Sequence, residues 1–229
     1  MYAVIGDVHG CFHTLVGLVA DIRDTYGDMA IYSVGDLGDR GRYTPEVFNL
    51  FDGEGIKFVK GNHDVMFYYG VTEPSNPISL PWIYNGNEAT IEAYKLQSHL
   101  LTKHLKMIED APYFFLLEDA LISHAGISEK YAHKIFTNKI IDIQKLRNFA
   151  EKYFDDESGM LWNRGLLANV GKLQIVGHCR YNEVVYKENN NSLYIDTSVY
   201  MANKLSAVII EEGRLIKILS TPTFIDDLV

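Results

Sequence analysis

Short apolar runs, each stopped by a glycine or a polar cluster, recur along this chain of 229 residues. Tyr2 to Ile5 is a β-rich run broken by Gly6, and Leu15, Val16, Val19 and Ile22 follow at helical spacing. The predicted order is strand, loop, helix. It repeats from Ala30 to Val34, stopped by Gly35, with Pro45 placed to open a helix that carries Val47, Phe48 and Leu50. Ile56 to Val59 is a third strand, stopped by Gly61. Tyr113 to Leu117 and Ala120 to Ile122 read as a hairpin, and Leu173 to Val176, stopped by Gly177, as a further strand.

Between the third strand and the hairpin lies an insertion, set at residues 72–108. Its first part holds Pro74, Pro77 and Pro81 and is expected to be irregular; Asn87 to Ile108 has helical apolar spacing and strong helix formers. Such a segment could cap a site. Asp142 to Tyr153 predicts another helix. The β-rich runs Val184 to Lys187, Leu193 to Ile195, Leu205 to Ile210 and Leu215 to Leu219 flank the turns KENNNS and EEGR, so the C-terminal part is expected to be an antiparallel meander.

Composition narrows the class. With 47% hydrophobic residues the chain can bury one core, and a single domain over 1–229 is expected. The net charge of −9 argues against stable nucleic acid binding, though a local arginine pair can still hold a phosphate. No apolar run approaches the roughly 18–20 residues of a membrane span, and the first residues lack the features of a secretion signal, so the expectation is a cytoplasmic protein with no membrane partner. Cys11 and Cys179 are too few for a disulfide framework and read as small buried thiols.

The chemistry lies just beyond the strands. Asp7 and His9 follow the first; Asp36, Asp39 and Arg40 the second; Asn62, His63 and Asp64 the third; His124 and His178 the strands at Ala120 and Leu173. Taken singly, DxH is a turn with a solvated histidine and GNHD a capped helix start. Together they are another matter, because the carboxyl ends of strands in open α/β sheets form the rim where ligands bind. Carboxylate, amide and imidazole donors without thiolate suit first-row divalent ions. Two such ions sharing a water would serve phosphate ester hydrolysis, whose uncatalysed barrier is very high.

The blocks GDVHG, GDLGDRG, GNHD, SHAG and VGHC, in this order from Gly6 to Cys179, resemble the signature of the calcineurin-like metallophosphoesterase superfamily. Among its branches they are most similar to the PPP-type serine/threonine protein phosphatases of the small bacterial and phage type, with symmetrical diadenosine tetraphosphate hydrolases as close relatives. The resemblance implies an α/β fold with two mixed sheets in a sandwich flanked by helices. It implies two divalent transition-metal ions, manganese first and iron, zinc, cobalt or nickel as alternatives. Asp7 and His9 would hold one ion, Asp36 would bridge, and Asn62, His124 and His178 would complete the other. His63 would protonate the leaving group, oriented by Asp39, while Arg40 and Arg164 would hold phosphate oxygens, with Arg180 competing for the last role.

The expected activity is hydrolysis of phosphate monoesters by a metal-bridging hydroxide, on a serine/threonine and also tyrosine phosphoprotein or on a small phosphorylated substrate. A symmetrical dinucleoside tetraphosphate hydrolase is the alternative, and an inactive scaffold the third. Asp64 is expected to cap a helix or support the site, and Asp196 to be structural. Two departures stand out: Gly38 occupies a position usually taken by a bulkier residue, which predicts a looser backbone at Asp39 and Arg40, and Ser198 stands where glycine is common.

Overall fold

The computed structural model describes residues 1–137 and 140–229. The chain runs β1 (Tyr2–Ile5), α1 (Phe12–Tyr26), β2 (Ile31–Ser33), α2 (Thr44–Gly53), β3 (Lys57–Phe58) and α3 (Asn62–Thr72). A 3-10 helix (Pro77–Tyr84), α4 (Asn87–Leu96) and α5 (Leu101–Asp110) follow. Then come β4 (Phe114–Leu116), β5 (Ala120–Ser123), the small pair β6 (Phe136–Thr137) and β7 (Ile140–Ile141), and α6 (Ile143–Lys152). The chain continues with β8 (Leu173–Val176), β9 (Val185–Lys187), β10 (Ser192–Tyr194), β11 (Lys204–Glu211) and β12 (Arg214–Pro222).

Side-chain alternation along the strands builds the layers. Tyr2 and Val4 point with Val208 and Ile210 into a core shared with Ala120, Ile122, Leu173, Ile175 and Leu193, so the two five-stranded sheets pack face to face. Ala3, Ile5, Ala207 and Ile209 point the other way, onto a core completed by Leu15, Leu18 and Ile22 of α1 and Phe48 and Phe51 of α2. Leu121 does the same for the second sheet, against Leu146 and Phe149 of α6. The result is the expected sandwich of two mixed sheets between helices. Its orders are β12-β11-β1-β2-β3 and β4-β5-β8-β10-β9, and β1, β2, β3 and β5, β8, β10 are parallel.

The C-terminal meander does not form. Both turns are made, and Glu212 and Gly213 take the left-handed conformation that a tight hairpin needs. The hairpins, however, belong to different sheets: β10, buried throughout, joins β8 in parallel, whereas β11 joins β1. The helix predicted over 87–108 is broken at Gln97, with a short 3-10 turn at Ser98–Leu100. A straight helix of that length would run about 33 Å; the break lets both α4 and α5 pack on α2. The proline-rich stretch is more ordered than expected, its 3-10 helix opened by Asn76, whose side chain accepts the Ile78 N–H. No helix among the described residues is long and apolar enough to cross a membrane.

His104 ties this helical region together. It is fully buried, stacks on Phe48, donates from Nε2 to Asn49 Oδ1 at 3.1 Å and takes the Tyr94 hydroxyl on Nδ1 at 2.6 Å. Burial pushes its imidazolium down to about 4 from 6.5. The unfolded chain therefore takes up a proton near pH 6.5 that the folded chain refuses until about pH 4. The stabilisation from neutral His104 is complete above pH 6.5 and is withdrawn as the pH falls through that window. Wild type should exceed His104→Gln in urea-unfolding stability at pH 8, and the gap should shrink by about 1–2 kcal/mol at pH 5; a gap independent of pH would contradict this.

Candidate active site and metal centre

Every polar block named from the sequence sits in a loop at the carboxyl end of a parallel strand or in the first turn of the helix that follows. Holding them there costs backbone strain. Nine non-glycine residues among those described have positive φ, and five are candidate site residues: His9, Asp36, Asp39, Arg40 and His178. Left-handed conformations cost about 1–2 kcal/mol each for such residues and persist where surrounding contacts over-determine them.

Asp64 supplies much of that determination. Its buried carboxylate accepts the N–H groups of Asp36 (2.8 Å), Leu37 (2.9 Å) and Gly61 (2.8 Å), so it caps α3 and pins the loop after β2 to the loop after β3. Both roles expected of it are present. Glycines permit the closeness: a Cβ on Gly61 would lie 2.0 Å from Asp36 Oδ1, and one on Gly177 would lie 1.9 Å from Asp7 Oδ1.

The candidate ligands converge. Asp36 Oδ2 lies 3.7 Å from His9 Nε2 and 3.4 Å from His124 Nε2, between the two imidazoles. Asn62 Oδ1 lies 2.8 Å from His124 Nε2 and 2.9 Å from His178 Nδ1. Asp7 groups with Asp36 and His124, its Oδ2 accepting the His178 N–H at 3.0 Å. Carbonyls set the tautomers: His9 Nδ1–H donates to Gly38 and His124 Nδ1–H to Val34. Burial pushes all three imidazoliums down, His124 to about 4, so the rings are neutral. In that tautomer His124 Nε2 presents a lone pair to the oxygen of Asn62 and to Asp36, an arrangement that a cation between them resolves.

The carboxylates make the same demand. Burial pushes Asp7 well above the usual range, and the neighbouring charges of Asp196 and Asp36 add to the effect. Burial likewise raises Asp36 to about 6, opposed mainly by His63. Asp7 Oδ1 is buried without a hydrogen-bond partner. Buried like charges with an unpartnered oxygen and neutral imidazoles fit divalent cations, which favour the ionised carboxylates. The residues that could hold them are Asp7, His9, Asp36, Asn62, His124 and His178.

Beside them stands a dyad. His63 Nδ1 donates to Asp39 Oδ2 at 2.7 Å, while Arg40 Nη2 donates to His63 Nε2 at 2.8 Å. Asp39 is wholly buried, and burial raises it to about 7 against the hydrogen bonds of Trp82 and Thr90. Trp82 Nε1 donates to both Asp39 oxygens at 2.9 Å, and the Thr90 hydroxyl donates to Oδ1 at 2.8 Å. The sequence reading missed both residues, since nothing in the proline-rich stretch or in α4 marks a partner for a carboxylate 43 or 51 positions earlier. It also misread Gly38: the backbone there is tight, because a Cβ would come within 2.9 Å of Thr44 Cγ2 and the Gly38 carbonyl orients His9.

The three arginines differ. Arg40 lies over Tyr200, 4.2 Å from guanidinium carbon to ring centroid. Arg180 donates to the Tyr200 hydroxyl at 2.6 Å and to Met201. Arg164 is exposed; burial holds the imidazoles of His63, His124 and His178 down, and the Arg164 charge adds a minor contribution in the same direction. Cys11 is buried; Cys179 is half-buried with its thiol toward the Asn163 carbonyl. Asp196 accepts the N–H of Ser198, which holds a left-handed conformation without being glycine.

The calcineurin-like phosphoesterase family description matches residues 2–209. A bis(5'-nucleosyl)-tetraphosphatase PrpE, asymmetrical, of Anoxybacillus flavithermus is 26% identical over 98% of this chain and 96% of its own length. A symmetrical bis(5'-nucleosyl)-tetraphosphatase of Buchnera aphidicola is 30% identical over 54% of this chain and 42% of its own. The crystal structure of a cold-active protein-tyrosine phosphatase of a Shewanella species superimposes with a TM-score of 0.65 at 16% identity, covering 96% of this chain and 80% of that one; it shares the fold.

Gly177 offers a test of the ligand geometry that leaves every donor in place. After loading with manganese as the probe ion, Gly177→Ala should displace Asp7 and reduce the metal retained per chain, read by elemental analysis after dialysis, whereas Gly165→Ala should not. Equal metal content in the two variants would show that Asp7 is not a ligand.

Proposed function

This chain belongs to the calcineurin-like phosphoesterase family, and from that membership we propose that it is a two-metal hydrolase that cleaves dinucleoside tetraphosphates asymmetrically. The observation that carries the substrate is the match along 98% of this chain and 96% of a relative named as an asymmetrical bis(5'-nucleosyl)-tetraphosphatase. The likeness to the symmetrical enzyme covers about half of this chain. The five blocks serve phosphoprotein hydrolysis equally well, and that reading stands second because its structural likenesses reach the fold alone. The hydrogen-bonded His63, Asp39 and Arg40 argue against an inert scaffold.

In this reading Asp7 and His9 would hold one ion, Asn62, His124 and His178 the other, and Asp36 would serve both; manganese is the proposed metal, in keeping with oxygen and imidazole donors. When bound, the two ions supply an activated water and neutralise charge on the phosphoryl group. Arg40 and Arg164 bind its non-bridging oxygens, for which a guanidinium fork is well shaped. His63, as the imidazolium, delivers the Nε2 proton to the leaving oxygen once Arg40, whose guanidinium donates to Nε2 in the structure, has turned to the phosphate. Asp39 accepts the Nδ1–H and so stabilises the imidazolium before transfer, while Trp82 and Thr90 keep the carboxylate aimed.

The leaving group sets how much that proton matters. A nucleotide phosphate has a pKa of about 6 and departs readily, whereas an alkyl alkoxide needs protonation. His63→Asn should keep its metal yet lose about 10²-fold or more on an alkyl phosphate and far less on diadenosine tetraphosphate; equal losses would contradict the general-acid role. Chromatography of the wild-type reaction should show ATP and AMP in equal amounts. ADP as sole product would mean symmetrical cleavage, and turnover of phosphopeptides without any of dinucleotides would favour the second reading.

A further inference from the structure

A cleft of about 680 Å³ opens between the 3-10 helix Pro77–Tyr84 and the loop 155–165. Both walls are anchored in the catalytic machinery. The 3-10 helix sends Trp82 back to Asp39 and turns Ile78 and Pro81 to the cleft. The opposite wall carries Trp162 and Arg164, and Asn163 between them donates to the Ala125 carbonyl, next to His124, and accepts the Cys179 thiol on its own carbonyl, next to His178.

The lining is chemically mixed. Arg164 is its cationic residue and adjoins Asn163 in the wall tied to the loops of His124 and His178. Ile78, Pro81 and the half-buried Trp162 present apolar faces, while Asp155 and Glu157 are exposed carboxylates. Those carboxylates repel phosphate, yet they accept hydrogen bonds from hydroxyls and amino groups. An occupant must therefore combine an anionic group for Arg164, a flat apolar face for Trp162 and Ile78, and neutral donors for the carboxylates. A nucleoside joined to a phosphate has all three.

We infer that this cleft binds a nucleoside of the substrate, with the base against Trp162 and Ile78, the ribose hydroxyls or base amine on Asp155 and Glu157, and the adjoining phosphate on Arg164. The inference rests on the dinucleotide reading above and names the part of the chain that reads the substrate. The volume lies within the roughly 300–1,000 Å³ of clefts that take compounds of this size. Stacking on an aromatic face tolerates any base, so adenine and guanine dinucleotides should both be accepted.

The manganese-loaded enzyme gives the test. In Ile78→Ala and Trp162→Leu, the ratio of kcat/KM for diadenosine tetraphosphate to that for 4-nitrophenyl phosphate should fall about tenfold, mostly through KM. Ile78 is the safeguard, since Trp162 also packs against the core. Calorimetric titration with AMP should show saturable binding to wild type, weakened in both variants. A ratio unchanged in both variants, or KM for a phosphopeptide rising as much as for the dinucleotide, would overturn the cleft assignment and leave the proposed function standing. Wild type that hydrolyses 4-nitrophenyl phosphate but no dinucleotide would defeat the proposed function instead. The cleft would then be judged on AMP alone, and AMP binding indifferent to Ile78 and Trp162 would refute it.

Discussion

The Asp64 carboxylate takes three backbone N–H groups from two loops, and the geometry of the site descends from that contact. By fixing Asp36, Leu37 and Gly61 it sets the distance between the end of β2 and the start of α3. It therefore also sets where Asp36 stands relative to Asn62 and His63, whose own N–H donates to Asp36 Oδ1 at 2.9 Å. An acceptor in this position is worth more than its hydrogen bonds count, because removing it would leave buried donors unpaired. Asp64 binds no phosphate and no metal in the proposed scheme, yet the bridging carboxylate is aimed by it.

The sheets provide the frame that the loops strain against. Parallel strands in both sheets end at the same face of the sandwich, so that His178, beyond β8 of one sheet, reaches Asp7, beyond β1 of the other, through a backbone N–H. Side chains from five strand ends thus meet at a point that no single loop could build. The five left-handed site residues and the crowded carboxylates are destabilising by themselves. Cations bound as proposed would offset the repulsion, and the rigid sheets absorb the strain; a site with this composition stands charge-ready only inside a fold stable enough to hold it.

The segment between α3 and β4 contributes more than cover. Trp82 and Thr90 deliver two donors to Asp39, the indole N–H shared between both carboxylate oxygens, which gives His63 a partner that is itself immobilised. The same 3-10 helix forms a wall of the neighbouring cleft. In the proposed scheme, a substrate group packed against Ile78 presses on the element that aims Asp39, which would link recognition to proton transfer.

Much of this was legible in the sequence because the relevant information is local. Short apolar runs and their glycine stops marked the strands, and donors one to four residues beyond them marked the candidate ligands, since a strand end and its loop are joined covalently within a few ångströms. The α/β class followed from the spacing of strands and helices, and the two mixed sheets from the resemblance alone. The partners of Asp39, the pairing of β10 with β8, the break between α4 and α5 and the tight packing at Gly38 were not legible. Each depends on which distant segment arrives beside a residue, and that is decided by the burial of whole faces rather than by neighbouring positions. The sequence by itself determined what chemistry the strand ends could perform; only the tertiary structure decided how those groups are held, because orientation comes from hydrogen bonds between residues tens of positions apart.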